Sequence, residues 1–246
     1  MDDISPVFKA LSLNKTLRNF VYVPEADSTN SLLMNSQQLN GTVALAERQS
    51  AGRGKQGAAW SSPEGGLWFS FIIRKKTKKP YFMVPLVSVA VTDVLLKNGI
   101  KASIKWPNDI LIGGRKACGI LIENDYSASK LVTGIGINVN NEIPAGLKSA
   151  AVSVKEAAGQ KADRISLLIA VVSRIDYYIS AGAKAEKKIT AAWVKRMEPL
   201  EGRVIKLEEK GKLKAYTVLE TLKNGSIKAR SESGRVKTIS GETFFL

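Results

Sequence analysis

Apolar and polar positions alternate with a period of two along several short stretches, and at helical spacing along longer ones. Residues 20–24 and 42–47 predict strands, and the aromatic, β-branched run from Leu67 to Ile73 predicts a third. Between the first two, Asp27-Ser28-Thr29-Asn30 offers N-cap candidates for a helix running to about Leu39. Tyr81 to Lys97 predicts a mostly apolar, buried helix, with Pro85 in its first turn and Asn98-Gly99 as its C-cap. Strands are expected near 101–106, 109–112, 115–123 and 131–139, with Gly113-Gly114 as a tight hairpin signal, so this run predicts an antiparallel meander. Apolar residues at 165, 168, 169, 172, 175 and 179 mark a helix over 164–180, and a second helix is expected over 184–197.

Pro199-Leu200-Glu201-Gly202 then breaks the pattern. Four short alternating segments follow, near 203–208, 213–220, 225–230 and 235–239, with Asn224-Gly225 as a turn between two of them. The predicted class is α+β: a mixed, mostly antiparallel sheet flanked by helices over 1–197, and a small β-barrel domain over 198–246.

Composition narrows the chemistry. With 44% hydrophobic residues the chain can build a sizeable core. It has no histidine, which excludes Ser-His and Cys-His nucleophilic machinery and any imidazole zinc site. The single cysteine, Cys118, lies in an apolar strand, so it predicts a small core residue rather than a nucleophile. Any metal should be a hard cation held by carboxylates and substrate phosphates, Mg²⁺ first. The N-terminus lacks the basic and apolar regions of a signal peptide, and no stretch approaches roughly eighteen uninterrupted apolar residues. The expected location is the cytoplasm, with no membrane partner.

The net charge is +15, and residues 198–246, with ten Lys/Arg against seven Asp/Glu, hold little of it. A solvated surface accounts for it more simply than a nucleic-acid interface. The densest run, Arg74-Lys75-Lys76-Thr77-Lys78-Lys79, predicts a solvated loop. A basic nucleic-acid binder would interleave aromatics with such residues on one sheet face, and this chain shows no such arrangement.

Chemistry concentrates in three segments. In Lys105-Trp106-Pro107-Asn108-Asp109, Pro107 cannot donate to a ladder and predicts a bend turning Asn108 and Asp109 out of the sheet. Lys105 sits before that bend and Lys116 beyond the hairpin. Two amines brought close are unfavourable unless an anion lies between them. Gly52-Arg53-Gly54-Lys55-Gln56-Gly57 matches G-x-G-x-x-G but opens no helix, and Arg74-Lys75-Lys76 stands where the acidic partner belongs. The dinucleotide reading is rejected. A glycine loop carrying Arg53 and Lys55, with Trp60 as an apolar wall, remains suited to an anion. Gly134-x-Gly136-x-Asn138 places glycines inside a strand, which suggests close approach by a ligand or another backbone.

Taken in order, Ser28-Thr29-Asn30, the Gly52-Arg53-Gly54 loop ending at Trp60, Lys105-Trp106-Pro107-Asn108-Asp109, Arg115-Lys116-x-x-Gly119-Ile120-Leu121 and Gly134-x-Gly136-x-Asn138 resemble the biotin–protein ligases. The resemblance covers roughly residues 20–245. It implies a class II synthetase-like catalytic domain with an SH3-like C-terminal domain. It also implies a monofunctional type, because the nineteen residues ahead of the first strand are too few for a three-helix DNA reader. By this resemblance, biotin attacks ATP to give biotinyl-5′-AMP and pyrophosphate, and a lysine of an acidic biotin carboxyl carrier protein domain then takes the biotin. A homodimer and no DNA partner are implied.

The resemblance assigns Ser28, Thr29, Asn30, Gln49, Gly52, Arg53, Gly54, Trp60, Lys116 and Gly119 to biotin. It assigns Arg53, Lys55, Trp60, Lys105, Asn108, Lys116 and Asn138 to ATP. Lys116, Arg53, Lys105 and Asp109 become catalytic, with Asp109 also a Mg²⁺ ligand. Gln56, Ala58 and Ala59 stand where the family pattern has basic residues, which implies a looser loop. A lipoate or octanoyl ligase or transferase of the same superfamily is the alternative.

Overall fold

The computed structural model describes residues 2–74, 79–209 and 212–244. Seven strands form the main sheet: β1 (Asn19–Ala26), β2 (Thr42–Gln49), β3 (Leu67–Arg74), β4 (Ser103–Lys105), β5 (Asp109–Ile112), β6 (Arg115–Asp125) and β7 (Lys130–Ile137). Their order is β1-β2-β3-β7-β6-β5-β4, with β1 and β2 parallel and every other pair antiparallel. The expected mixed, mostly antiparallel sheet and its meander are therefore present. Gly113 and Gly114 both take positive φ, 56° and 77°, as the predicted hairpin requires.

Period-two alternation gives the sheet two different faces. Phe69, Phe71, Ile135 and Ile137 point into the principal core, beneath α3 (Met83–Lys97) and α5 (Arg164–Ala181). Ser70, Gly134 and Gly136 alternate with them and so belong to the opposite face. There the short α2 (Thr29–Met34) packs Leu33 on Ala44, Ile72 and Val132. One face is a continuous apolar core, and the other is a thin cover with polar and glycine positions left beside it.

Pro80–Lys97 is long and apolar enough to cross a membrane by composition, yet 67% of it is buried inside the protein. That hydropathy serves contacts with the sheet, α5 and α6 (Ala183–Lys195). Pro85 falls in the first turn of α3, as expected. Helix α2 stops five residues short of the expected Leu39, because Asn35 caps it and the Ser36 hydroxyl donates to the Leu33 carbonyl. Strand β4 is shorter than predicted, since Trp106 leaves the ladder and donates its indole N–H to the Gly225 carbonyl at 3.0 Å. The Arg74–Lys79 loop lies largely outside the described residues.

Two short helices have no sequence counterpart above: α1 (Ser5–Ser12) and α4 (Val154–Ala158). Helix α1 buries Val7 and Leu11 against α5. The loop after it is held by one carboxylate, Asp176 of α5, which accepts the backbone N–H groups of Lys15, Thr16 and Leu17 at 2.8, 2.7 and 2.8 Å. At the start of α5 a buried Arg164 pairs with Asp2 and Glu47 and donates to the Gly66 carbonyl.

The remaining strands, β8 (Val204–Glu209), β9 (Lys212–Thr221), β10 (Ile227–Ser231) and β11 (Val236–Ile239), form a second antiparallel sheet in the order β11-β10-β9-β8. The predicted small β-domain is present as this sheet, and among the described residues no ladder closes β8 onto β11 into a barrel. Its inner residues Leu207, Tyr216, Val218 and Ile227 share one apolar cluster with Trp106 and Trp193. The last described turn, Gly241–Phe244, sets the Phe244 ring edge-on to Trp106 at 5.2 Å.

Candidate active site

The glycine loop folds as a small hairpin strap rather than an open loop. Trp60 N donates to the Gly52 carbonyl at 2.8 Å, Gly54 N to Ala58 O at 2.6 Å, and Arg53 bridges to Ala59. Gln56 and Gly57 at the tip take positive φ, 54° and 73°, the pairing that a type I′ turn uses. Backbone bonds thus give the strap an order that does not depend on the arginines it lacks. The Trp60 indole descends onto the glycine face of the sheet. A methyl on Gly136 would stand 2.5 Å from its Nε1, and one on Gly119 3.0 Å from its six-membered ring. The close approach implied by these glycines is therefore made by the strap's own tryptophan.

The floor is a run of side-chain hydrogen bonds. Thr29 N donates to Gln49 Oε1 at 2.8 Å, and the Thr29 and Ser70 hydroxyls lie 2.7 Å apart. Ser70 donates to Asn30 Oδ1 at 2.6 Å, and Asn30 Nδ2 to Glu123 at 2.7 Å. Gln49 Nε2 donates to Ser62 Oγ at 2.8 Å, and Ser62 returns a bond to the Trp60 carbonyl at 3.1 Å. Ser28 is the N-cap residue of α2, yet its hydroxyl makes no capping bond and instead lines the cleft.

Charge sits at one end. Lys116 Nζ lies 2.8 Å from Asp109 Oδ1 and 4.8 Å from the Trp60 ring centroid. The first contact is a close ion pair that lacks hydrogen-bond direction, since Asp109 Oδ1 has no hydrogen-bond partner among the described residues. Lys55 reaches in from the strap, with its ammonium 5.1 Å from the Phe244 ring. Burial pushes the Lys55 amine down to about 8; Asp109 opposes the shift, while Lys116 and Lys105 add to it. Two amines, Lys55 and Lys116, and one carboxylate thus converge in the cleft, an arrangement suited to an anion. The Asn108 amide donates to the Ile120 carbonyl at 2.8 Å, and its Oδ1 is a buried acceptor with no partner among the described residues.

The cleft has a volume of about 220 Å³. That is below the roughly 300–1,000 Å³ of small-molecule sites, because Trp60 occupies part of the trough. Ser28, Thr29, Asn30, Gln49, Arg53, Gly54, Lys55, Trp60, Asn108, Asp109, Lys116 and Gly119 all line it. Gly52, Lys105 and Asn138 do not. Gly52 instead permits strap closure, since a side chain there would strike the Trp60 carbonyl and Ser62. Asn138 is buried behind the sheet edge, donating towards Lys116 O and accepting from Asn141. The structure also corrects the bend: Asp109 stays in the ladder, opposite Lys105 and Gly119. The anion beside Lys116 is Asp109 itself.

Sequence reasoning missed Glu123, Ser70 and Ser62. Ser70 carried a signal, a lone hydroxyl inside the apolar run Leu67 to Ile73. Glu123 carried none, because its partner Arg53 lies 70 residues away in the sequence. Cys118 is fully buried and its thiol is pushed up by that burial, as a core residue would be. A larger cavity of about 1100 Å³ between α3 and α5 holds none of these groups.

Asp109 is the only carboxylate among the described residues lining the cleft, and it is engaged with Lys116. Among the described residues no group of three or more histidine, cysteine, aspartate or glutamate side chains is placed to hold a metal ion. This donor set does not fit a metal held by the protein alone.

The glycine face of the sheet thus carries a polar floor with a basic strap folded over it, a cleft suited to a small anionic ligand. The biotin/lipoate A/B protein ligase family model matches residues 22–140. The biotin protein ligase of Aquifex aeolicus, solved with biotin and ATP, superposes with a TM-score of 0.78 at 32% identity, covering 92% of this chain and 97% of that one. The bifunctional ligase/repressor BirA of Bacillus subtilis is 40% identical over 146 residues, which are 55% of this chain and 45% of that protein. The biotin–[acetyl-CoA-carboxylase] ligase of Paracoccus denitrificans is 27% identical over 89% of this chain and 97% of its own length. The chain belongs to the biotin/lipoate A/B protein ligase family. It spans about half the length of the bifunctional relatives it matches, 45% and 48% for the two Bacillus proteins.

Proposed function

We propose that this chain joins biotin to ATP and passes the biotin to a lysine of a carrier protein. The observation that carries the reading is the placement of Lys116. It stands at the charged end of the trough, under Trp60 and against Asp109, next to a floor of Thr29, Asn30 and Gln49 groups suited to a ureido ring. A biotin carboxylate oxygen attacks the α-phosphorus of ATP, a C–O–P bond forms, the α–β bond breaks, and pyrophosphate leaves with the electron pair. The acceptor amine then attacks the acyl carbon, AMP departs, and the amine loses a proton.

No protein nucleophile is required. Lys116 neutralises the carboxylate and α-phosphate as they meet, and Lys55 and Arg53 bring the strap's charge to the nucleotide. Asn108 Oδ1 offers a buried acceptor to a nucleotide N–H or O–H. Any Mg²⁺ would come with the nucleotide and be held by its phosphates, since Asp109 alone makes no cage. The carrier domain is expected to be acidic, in keeping with the +15 charge. A homodimer belongs to the same proposal on family resemblance alone.

ATP–pyrophosphate exchange tests the reading. Exchange stimulated by biotin and not by lipoate or octanoate is the expected result; exchange driven by lipoate, or by none of the three, overturns it.

Lys55 adds a pH dependence. Its folded value near 8 lies below the ordinary 10.5, so folding releases a proton between those values. The stability share of this group therefore rises as pH climbs from about 8 to 10.5. Binding of phosphate runs the other way, because the neutral amine attracts no anion. kcat/KM for ATP is expected to fall above about pH 8 and to stay flat there in Lys55→Arg, as a pH–rate series on both proteins will show.

A further inference from the structure

The strap and the floor are joined at both ends. From the strap's first strand, Arg53 Nη2 donates to both Glu123 oxygens at 2.9 and 3.0 Å. Glu123 accepts from Asn30, Asn30 from Ser70, and Ser70 meets Thr29. Thr29 N reaches Gln49, Gln49 reaches Ser62, and Ser62 donates to the carbonyl of Trp60, at the strap's far end. The bonds close a ring that passes beneath the cleft. Its floor members are those that would touch a bound acid, and its strap members are those that would cover a nucleotide.

We propose that Glu123 is a positioning residue that couples occupancy of the acid-binding floor to closure of the nucleotide strap. Among the described residues it is the one ring member bonded both to Arg53 and to the floor. Glu123 does not line the cleft, so it acts through Arg53 and Asn30 and not on the reacting atoms. The room for this ring is made by Gly134, where any side chain would strike the Asn30 side-chain oxygen Oδ1. A ligand that bonds Thr29, Asn30 or Gln49 stiffens those links, and the carboxylate passes that order to Arg53. This is a free-energy coupling between two subsites, so it must also run in reverse. The inference rests on the proposed biotin–ATP reading.

The test uses the full chain, with Glu123→Gln as the isosteric variant and Glu123→Ala as the deletion. Two readouts separate coupling from mere support. One is trypsin cleavage after Arg53 and Lys55, followed by mass spectrometry with and without biotin; biotin alone is expected to slow it in the parent protein and in neither variant. The other is exchange kinetics, where KM for ATP is expected to rise about tenfold in Glu123→Ala, with thermal unfolding of Glu123→Gln unchanged. Equal protection by biotin in parent and Glu123→Gln would sink the proposal, as would an unchanged KM for ATP in a folded Glu123→Ala. A parent protein without biotin-dependent exchange overturns the functional reading instead, a distinct result.

Discussion

Lys116→Ala is expected to lower biotin-dependent ATP–pyrophosphate exchange by about 10²–10³-fold, the loss typical of removing one preorganised charge donor from a transition state. The ammonium is fixed on two sides, 2.8 Å from Asp109 and 4.8 Å from the Trp60 ring. Its position is thus set before substrate arrives, and no other amine holds the same place. Lys55 is carried by the strap, and Lys105 lies outside the cleft. The variant also leaves Asp109, with an 18% exposed side chain, facing the reacting carboxylate without its partner. Repulsion then replaces neutralisation, so the loss belongs mainly in kcat, with an unchanged circular dichroism spectrum. Exchange within twofold of the parent would remove Lys116 from the chemistry.

The largest effect on stability is expected at Asp176→Ala. One carboxylate satisfies three consecutive backbone N–H groups, at separations of 159 to 161 residues. With alanine those donors lose their acceptor at a site where Asp176 is 4% exposed. About 3–5 kcal/mol is expected to go, a large share of the roughly 5–15 kcal/mol of an ordinary domain. Urea unfolding should show a lower midpoint, with Asp176→Asn between the two because its amide oxygen still accepts. Exchange measured well below the unfolding temperature should persist, since neither Asp176 nor the loop it holds lines the cleft. An unchanged midpoint would show that the loop before β1 is held by other contacts.

What sequence could show divides by range. The β5–β6 hairpin was legible because two glycines between apolar runs leave one cheap turn. The core helix α3 was legible because apolar residues without charges have only one place to go. Most of the cleft was visible in its motifs, since lysine and asparagine are out of place in apolar strands and strand glycines mark a close approach. The missed parts depend on meetings between distant residues. Helix α1 has too few turns to announce itself and is held from α5. Asp109 was expected outside the sheet because proline breaks ladders, yet the chain rejoins its ladder two residues after Pro107. The resemblance places Asn138 near the nucleotide, and in the structure it lies outside the cleft's lining and bonds to Lys116 O and Asn141. The strap's hairpin shape has no plain signal in the sequence, since its type I′ tip needs only Gln56 and Gly57 at positive φ, and glutamine does not advertise that.

The contact of Phe244 with both Lys55 and Trp106 makes the small sheet a part of the enzyme's roof. Residues 198–246 are therefore not an exchangeable module. In a chimera, the Lys55 position from one parent and the Phe244 position from another would meet with mismatched lengths and charges. Swaps within this family should be cut so that the strap, the Trp106 corner and the last turn travel together as one inherited unit.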